Sequence, residues 1–309
     1  MKLTVGISPH KKASYSTRWV MKQVIIGLIP AMAASVYFFR MSAVSLILTC
    51  VFGAVISEYL VVKIRKADFS LSDYSAVVTG ILLALVLPPK IPLWAAFLGS
   101  VFAIVISKQI FGGLGQNIFN PALAGRAFLM AAFPVMLTSW VQPFSLDAVT
   151  TATPLSLWKF SHQFVGLGKL FIGNVSGSLG ETSSLALIIG GVYILVRKAA
   201  DWRAPLGMFL GVTVTSGVFY LIHPASGSVL FHLFAGGVML GMFFMVTDPV
   251  TTPVTKSGRV GFGLAVGILV IIIRKWAGLP EGVMYSIIFM NSFVPLINKF
   301  TRPKSFGRR

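Results

Sequence analysis

The chain has 309 residues, 56% of them hydrophobic and 11% charged, with a mean hydropathy of +0.85, whereas soluble domains carry about 25% charged residues. That balance excludes a water-soluble domain, and the net charge of +18 sits on basic residues that flank apolar runs, which marks membrane topology and not a nucleic-acid face. A single cysteine, Cys50, excludes a disulfide framework, a CxxC pair and a cysteine-ligated iron–sulfur cluster; His10, His162, His223 and His232 are too scattered for a local metal motif.

In chain order, Lys11, Lys12, Arg18 and Lys22 precede a long apolar run without an obvious small-residue cleavage site. This predicts a retained first helix and not a removed signal peptide. Apolar runs at 24–39, 43–62, 75–87, 93–110, 122–138, 184–196, 205–222, 230–246, 260–273 and 283–297 then predict an all-α integral membrane protein of about ten transmembrane helices. The third, sixth and ninth runs are short for about 30 Å of hydrocarbon, so they are expected to be extended at their ends or broken at depth. With the N-terminus inside, 20 lysines and arginines fall on inner segments and 6 on outer ones. The bias puts both termini in the cytoplasm of a multi-pass inner-membrane protein; only the loop with Arg274 and Lys275 dissents.

A weak repeat matches Gly80 and Pro88 to Gly241 and Pro249, and Phe119-Asn120 to Met290-Asn291. This register divides the membrane domain into five-helix units, 1–138 and 184–298, joined by a long external loop at 139–183 and followed by a basic cytoplasmic tail at 299–309. An odd number of spans per unit forces the two to be inverted. A competing register pairs Ser70-Leu-Ser-Asp73-Tyr-Ser75 with Ser178-Leu-Gly-Glu181-Thr-Ser183; the first is preferred because it divides the spans evenly.

The external loop holds Asp147-Ala148-Val149-Thr150-Thr151-Ala152-Thr153-Pro154-Leu155. Two readings stand side by side. Small neighbours and the following proline keep Thr153 extended and open to another enzyme, or Thr153 is the N-cap of a helix that begins at Pro154. Arg126 near the inner start of the fifth helix either pairs a flavin, lipid or carboxylate, or snorkels. Asn120 is an N-cap or, with Asn291, part of a polar lining between the repeats. Asp248, in Thr247-Asp248-Pro249-Val250-Thr251-Thr252-Pro253, either helps hold a cation or cofactor or caps a loop. Glu58 and Glu181 are functional candidates as acids near the bilayer, or lie at its water interface. His232 reads as a packed core histidine.

The loop string resembles the flavinylation motif of the NqrB/RnfD family, Ser/Thr-Gly-Ala-Thr, in which the last threonine carries FMN through a phosphoester. The likeness extends through Gly115-Gln-Asn-Ile-Phe119-Asn120-Pro121-Ala-Leu-Ala-Gly125-Arg126, Gly177-Ser-Leu-Gly180-Glu181-Thr-Ser, Thr247-Asp248-Pro249, Gly278-Leu-Pro-Glu281-Gly, Met290-Asn291-Ser-Phe-Val-Pro295 and Arg302-Pro303. The compact length and short basic N-terminal segment resemble the RnfD branch. One departure is Thr151 where the family has glycine; the register of Ala152-Thr153-Pro154-Leu155 carries the attachment onto Thr153. The resemblance implies a channel-like membrane subunit of an Rnf-type complex, moving electrons between ferredoxin and NAD with Na⁺ or H⁺ translocation. It also implies covalent FMN on Thr153, a place for noncovalent riboflavin, other Rnf-type subunits as partners, and a flavin transferase using FAD during maturation. The lipid bilayer is its surroundings, and nucleic acid is no partner. A stand-alone secondary transporter or channel without flavin is the alternative, and a purely structural anchor a third.

Overall fold

The structure, a computed structural model, describes residues 15–66, 71–144 and 150–303. Expectations on His10, Lys11, Lys12, Ser70, Asp147 and the tail beyond Pro303 lie outside the described residues. The helices are α1 (Thr17–Phe39), α2 (Met41–Arg65), α3 (Ser75–Val86), α4 (Leu93–Ile104, prolonged by a π-helical turn, Val105–Gln109), α5 (Pro121–Ala132) and α6 (Pro134–Thr138). After these come α7 (Pro154–Ser161), α8 (Leu167–Ile172), α9 (Ser184–Val196), α10 (Arg203–Ile222), α11 (Val229–Phe234), α12 (Val238–Leu240, prolonged by a π-helical turn, Gly241–Met245), α13 (Lys256–Trp276) and α14 (Val283–Phe300). A two-residue antiparallel ladder joins β1 (Trp140–Val141) to β2 (Thr150–Thr151).

Among the described residues α1, α2, α10, α13 and α14 are long and apolar enough to cross a membrane. At 1.5 Å per residue, 18 to 25 residues cover the roughly 30 Å hydrocarbon layer. The ninth apolar run, expected to be short, lies in α13, which gains its length at both ends: Thr255 caps it through Gly258 N at 3.2 Å, and the helix runs on through Arg274 and Lys275.

The short helix α3 survives by enclosure. In α3 every residue except Val77 is buried, so the unsatisfied groups at its ends meet protein and not lipid. Leu179 N donates to Leu87 O at 3.2 Å, and Ser35 Oγ of α1 donates to Leu179 O at 2.8 Å. The turn at 179–181 thereby dips in from the long connection and meets the C-terminal end of α3, with Gly180 wedged between Leu85 and Leu240.

Two expected spans are interrupted. The run 122–138 divides into α5 and α6 because Pro134 lacks an N–H and disfavours helix at Phe133 (φ −135°, ψ 59°). The run 230–246 breaks at Ala235-Gly236-Gly237, where Gly236 takes φ +68° and the axis bends by 47°.

Helices meet where side chains are small. Gly207 and Gly211 of α10 face Gly263 and Gly267 of α13 so closely that a Cβ on any of them would strike the opposite backbone. This is the small-xxx-small packing of membrane helices. Gly27 of α1 and Gly190 of α9 make a similar crossing. One turn before Gly207 and Gly263, Asp201 ties Arg203 (3.1 Å) to Arg259 (2.5 Å).

Candidate functional site

The described residues of the long connection are folded, and its ladder and α7 set Thr151 and Thr153. Trp140 pairs with Thr151, whose hydroxyl lies 2.7 Å from Ser176 Oγ. Thr153 is extended (φ −70°, ψ 158°) and is the N-cap of α7, with Pro154 at the first helical position. Its Oγ1 accepts from Ser156 N at 3.2 Å and lies 2.9 Å from Ser156 Oγ. The extended backbone before proline serves both readings, but the Thr153 side chain is buried, so the geometry is that of the N-cap and not of a threonine held open.

A cavity of about 400 Å³ opens beside the ladder, walled by Trp140, Thr151, Ser156, Arg126, Glu281 and Tyr285 among others. Thr153 lines a smaller adjoining space of about 30 Å³ that shares Trp140, Pro280 and Glu281 with the larger one.

Arg126 does not snorkel, as an arginine at a helix end would. It sits in the middle of α5, 3% exposed, with Nη2 2.5 Å from Glu281 Oε2 and Nη1 3.7 Å from Glu181 Oε1. It belongs with the Thr153 loop and not with the opposite end of the bundle, because the enclosed carboxylates supply the counter-charge a buried guanidinium needs. Glu181 is likewise buried instead of lying at a water interface. Burial and the neighbouring Glu281 charge push its carboxyl up to about 8, against the pull of Arg126 and Ser178. Burial also raises Glu281, but Arg126, its contacts and Arg274 outweigh it and hold that carboxyl below the usual range.

Arg274 explains its own dissent from the charge bias. It is wholly buried, and its guanidinium donates to His232 O and Ala235 O, both at 2.7 Å, which are carbonyls left open where α11 breaks. It is a backbone clamp and not a topology signal. Lys159, nearly two turns beyond Thr153 on α7, donates to the carbonyls of Arg274 (2.8 Å) and Ala277 and caps the end of α13. His232 packs edge-on to Trp158 (5.0 Å) and bonds Ser226 O at 2.8 Å, as a core histidine.

A second polar group gathers around α2, α4 and the turn after α12. Glu58 is fully buried against Lys108 Nζ (2.7 Å) and Gln109 Nε2 (3.0 Å), and Lys108 also donates to Ser75 Oγ (2.6 Å). Asp248 accepts from Val250 N (3.2 Å) and Thr251 Oγ1 (2.9 Å), while the Thr247 hydroxyl donates to Phe243 O and that of Thr252 to Asp248 O. These bonds are those of the capped-loop reading. Asn120 makes the bonds of an N-cap and also meets Asn291. Its side chain caps α5 through Ala122 N and Leu123 N (3.1 and 3.3 Å), and its N–H donates to Asn291 at 3.1 Å once that amide is turned so that Nδ2 reaches Thr251 O.

In the sequence Glu281 stands out only as part of a motif, and nothing local gives Arg274 or Lys159 a role. The available signal was Arg274 itself, a cation on the side the charge bias leaves poor.

Residues 4–307 match the model of the NQR2, RnfD, RnfE family. The chain is 42% identical, over 99% of its length and 96% of the relative's, to the D component of the proton-translocating ferredoxin:NAD(+) oxidoreductase complex of Clostridium ljungdahlii. It is 44% identical, with the same coverage, to the D component of the Na(+)-translocating ferredoxin:NAD(+) oxidoreductase complex of Acetobacterium woodii. Against the D component of the ion-translocating oxidoreductase complex of Alcanivorax borkumensis it is 36% identical over 100% of this chain and 98% of the other. On matches that run nearly end to end, the chain belongs to the NQR2, RnfD, RnfE family, within its RnfD branch.

Proposed function

We propose that this chain is the FMN-carrying membrane subunit of an Rnf-type complex that couples electron transfer between ferredoxin and NAD⁺ to the translocation of Na⁺ or H⁺, with FMN joined by a phosphoester to Thr153. The observation that carries the reading is the placement of the Thr153 hydroxyl at the N-terminus of α7, one hydrogen bond from a serine that lines a 400 Å³ cavity.

The residues present fit such a group. A threonine phosphodiester carries one negative charge, and the positive end of α7 together with its first free N–H groups favours that charge. Arg126 faces the cavity with Nε lacking a hydrogen-bond partner among the described residues, while the rings of Trp140, Phe160 and Tyr285 supply flat apolar wall. When bound, a flavin accepts and returns one or two electrons. The chain's own contribution is position: Thr153 tethers, the β1–β2 ladder and Lys159 hold α7 in place, and the buried charges set the field. Thr153 is a substrate of a flavin transferase once and a tether afterwards.

The wider proposal places the chain in the inner membrane as two inverted five-helix units, with both termini cytoplasmic and the Thr153 loop external. Close packing of α2 on α4 within the first unit and of α10 on α13 within the second supports a correspondence between the two. The stand-alone transporter gives no reason for a capped, cavity-side threonine in this motif. Thr153→Ala is expected to abolish flavin fluorescence on the denatured polypeptide, with intact mass lower by one FMN adduct, whereas Thr151→Ala retains both. Fluorescence that survives Thr153→Ala refutes the site. A wild-type chain of unmodified mass, purified from its own complex, refutes the flavoprotein.

A further inference from the structure

We propose that Glu181 and Glu281 form a carboxyl pair that holds one proton between them at neutral pH and takes up a second when negative charge enters the cavity walled by Arg126. The identity of that charge, a reduced flavin, rests on the function proposed above; the pair itself does not.

The two carboxyls converge. A Cβ on Gly237 would stand 2.7 Å from Glu281 Oε1 and 3.4 Å from Glu181 Oε1, so the two oxygens flank one point of the broken helix. Around them α5 presents Arg126, α13 presents Arg274, α14 presents the Tyr285 phenol, and the turn before α9 presents Ser178. From α11, His232 stands beside Arg274, and Lys159 of α7 is engaged by the carbonyls at the end of α13.

Two guanidiniums and two carboxylates would be neutral in sum. Enclosed carboxylates this close cannot both ionise freely, and the usual outcome is that one is pushed up and the other down. That is the division here: burial raises Glu181 to about 8, while Arg126 holds Glu281 low. With one proton on the pair, the four groups carry one net positive charge toward a cavity of about 400 Å³.

Two atoms are left to respond. Arg126 Nε and Glu181 Oε1 are buried without a hydrogen-bond partner among the described residues. When a one-electron donor reduces the group in the cavity, one negative charge is added there. One proton from water then forms one O–H bond on the pair, and the summed charge is unchanged.

Redox-difference infrared spectroscopy of the purified complex, with dithionite as the reductant, tests this directly. The oxidised wild type is expected to show the C=O stretch of a protonated carboxylic acid, shifted in D₂O and titrating away above neutral pH, and to gain intensity on reduction. Glu181→Gln is expected to remove the oxidised-state band, and Glu281→Gln, which takes away the carboxylate left to accept the second proton, to flatten the pH dependence of the flavin midpoint potential from about 59 mV per pH unit, the one-electron equivalent of a tenfold change. Glu281→Gln removes the neighbouring charge, so Glu181 must then titrate at lower pH; this arm decides the matter if Glu181→Gln does not assemble. Absence of a protonated-carboxyl band in the wild type, or a titration that Glu281→Gln leaves unchanged, overturns the proposal. Thr153→Ala separates the two readings: without flavin the oxidised-state titration persists and only the gain on reduction disappears. A titration that persists beside flavin still attached elsewhere overturns the Thr153 assignment and leaves the pair standing.

Discussion

Removing Lys108 is expected to be far worse than removing Lys108 and the Glu58 charge together. Lys108 Nζ lies 2.7 Å from Glu58 Oε1 and 2.6 Å from Ser75 Oγ, and both members of the pair are at most 1% exposed. Lys108→Met takes the lysine charge away from a buried carboxylate at the contact of α2 and α4, with Gln109 at 3.0 Å still a neutral donor to the same oxygen. Breaking a buried pair from one side costs about 3–5 kcal/mol. In the double variant Lys108→Met with Glu58→Gln no charge is left uncompensated, Ser75 Oγ keeps its bond to Asp73 Oδ1 (2.6 Å), and the expected loss falls to about 1 kcal/mol, because replacing a whole buried pair is often close to neutral. At roughly 2 °C per kcal/mol for a chain of this size, the single variant melts about 6–10 °C below wild type and the double about 2 °C below. The assay is a thermal melt of the purified complex read as a double-mutant cycle. A double variant as unstable as Lys108→Met refutes the reasoning, as does a single variant that melts with wild type. If the double is stable but ion uptake into proteoliposomes is lost, Glu58 carries ions as well as fastening α2 to α4.

Arg274→Met removes two charge-assisted bonds to the open carbonyls at the break of α11, each contributing about 1.5–3 kcal/mol. It should speed amide hydrogen exchange at 235–238 before any change at α2, and unchanged exchange there would discount the clamp. The raised Glu181 carboxyl makes folded chain bind more protons than unfolded chain between the ordinary carboxylate pKa and about 8. Stability from this group is therefore full at acid pH and is lost as pH rises through that window; Glu181→Gln should abolish that slope in melts run from pH 5 to 9. Asp248→Asn keeps an acceptor for Val250 N and is expected to cost about 1 kcal/mol while leaving flavin content and ferredoxin-driven NAD⁺ reduction near wild type. A large loss of turnover at matched flavin content would return Asp248 to the ion path.

Much of the molecule was legible along the chain. The apolar runs, the caps at Asn120-Pro121 and Thr153-Pro154, and the broken turn around Pro249 are local properties: each depends on hydrophobicity over a turn or two, on a proline's missing N–H, or on a side chain reaching its own backbone. The family motifs are short strings and were readable for the same reason. What only the tertiary structure decided was where charge goes. Arg126, Glu181, Arg274 and Glu281 are separated by up to 155 residues, and each alone resembles an interfacial charge. Whether a guanidinium points to water or into the bundle depends on what the other helices bring to meet it. The same holds for the break at Gly236-Gly237. Glycines in an apolar run are ordinary in membrane helices, and these became a bend because Arg274, from a helix far along the chain, satisfies the carbonyls that the bend exposes. Burial of a charge is a property of the assembled bundle, since its cost is offset only by partners that sequence proximity does not supply.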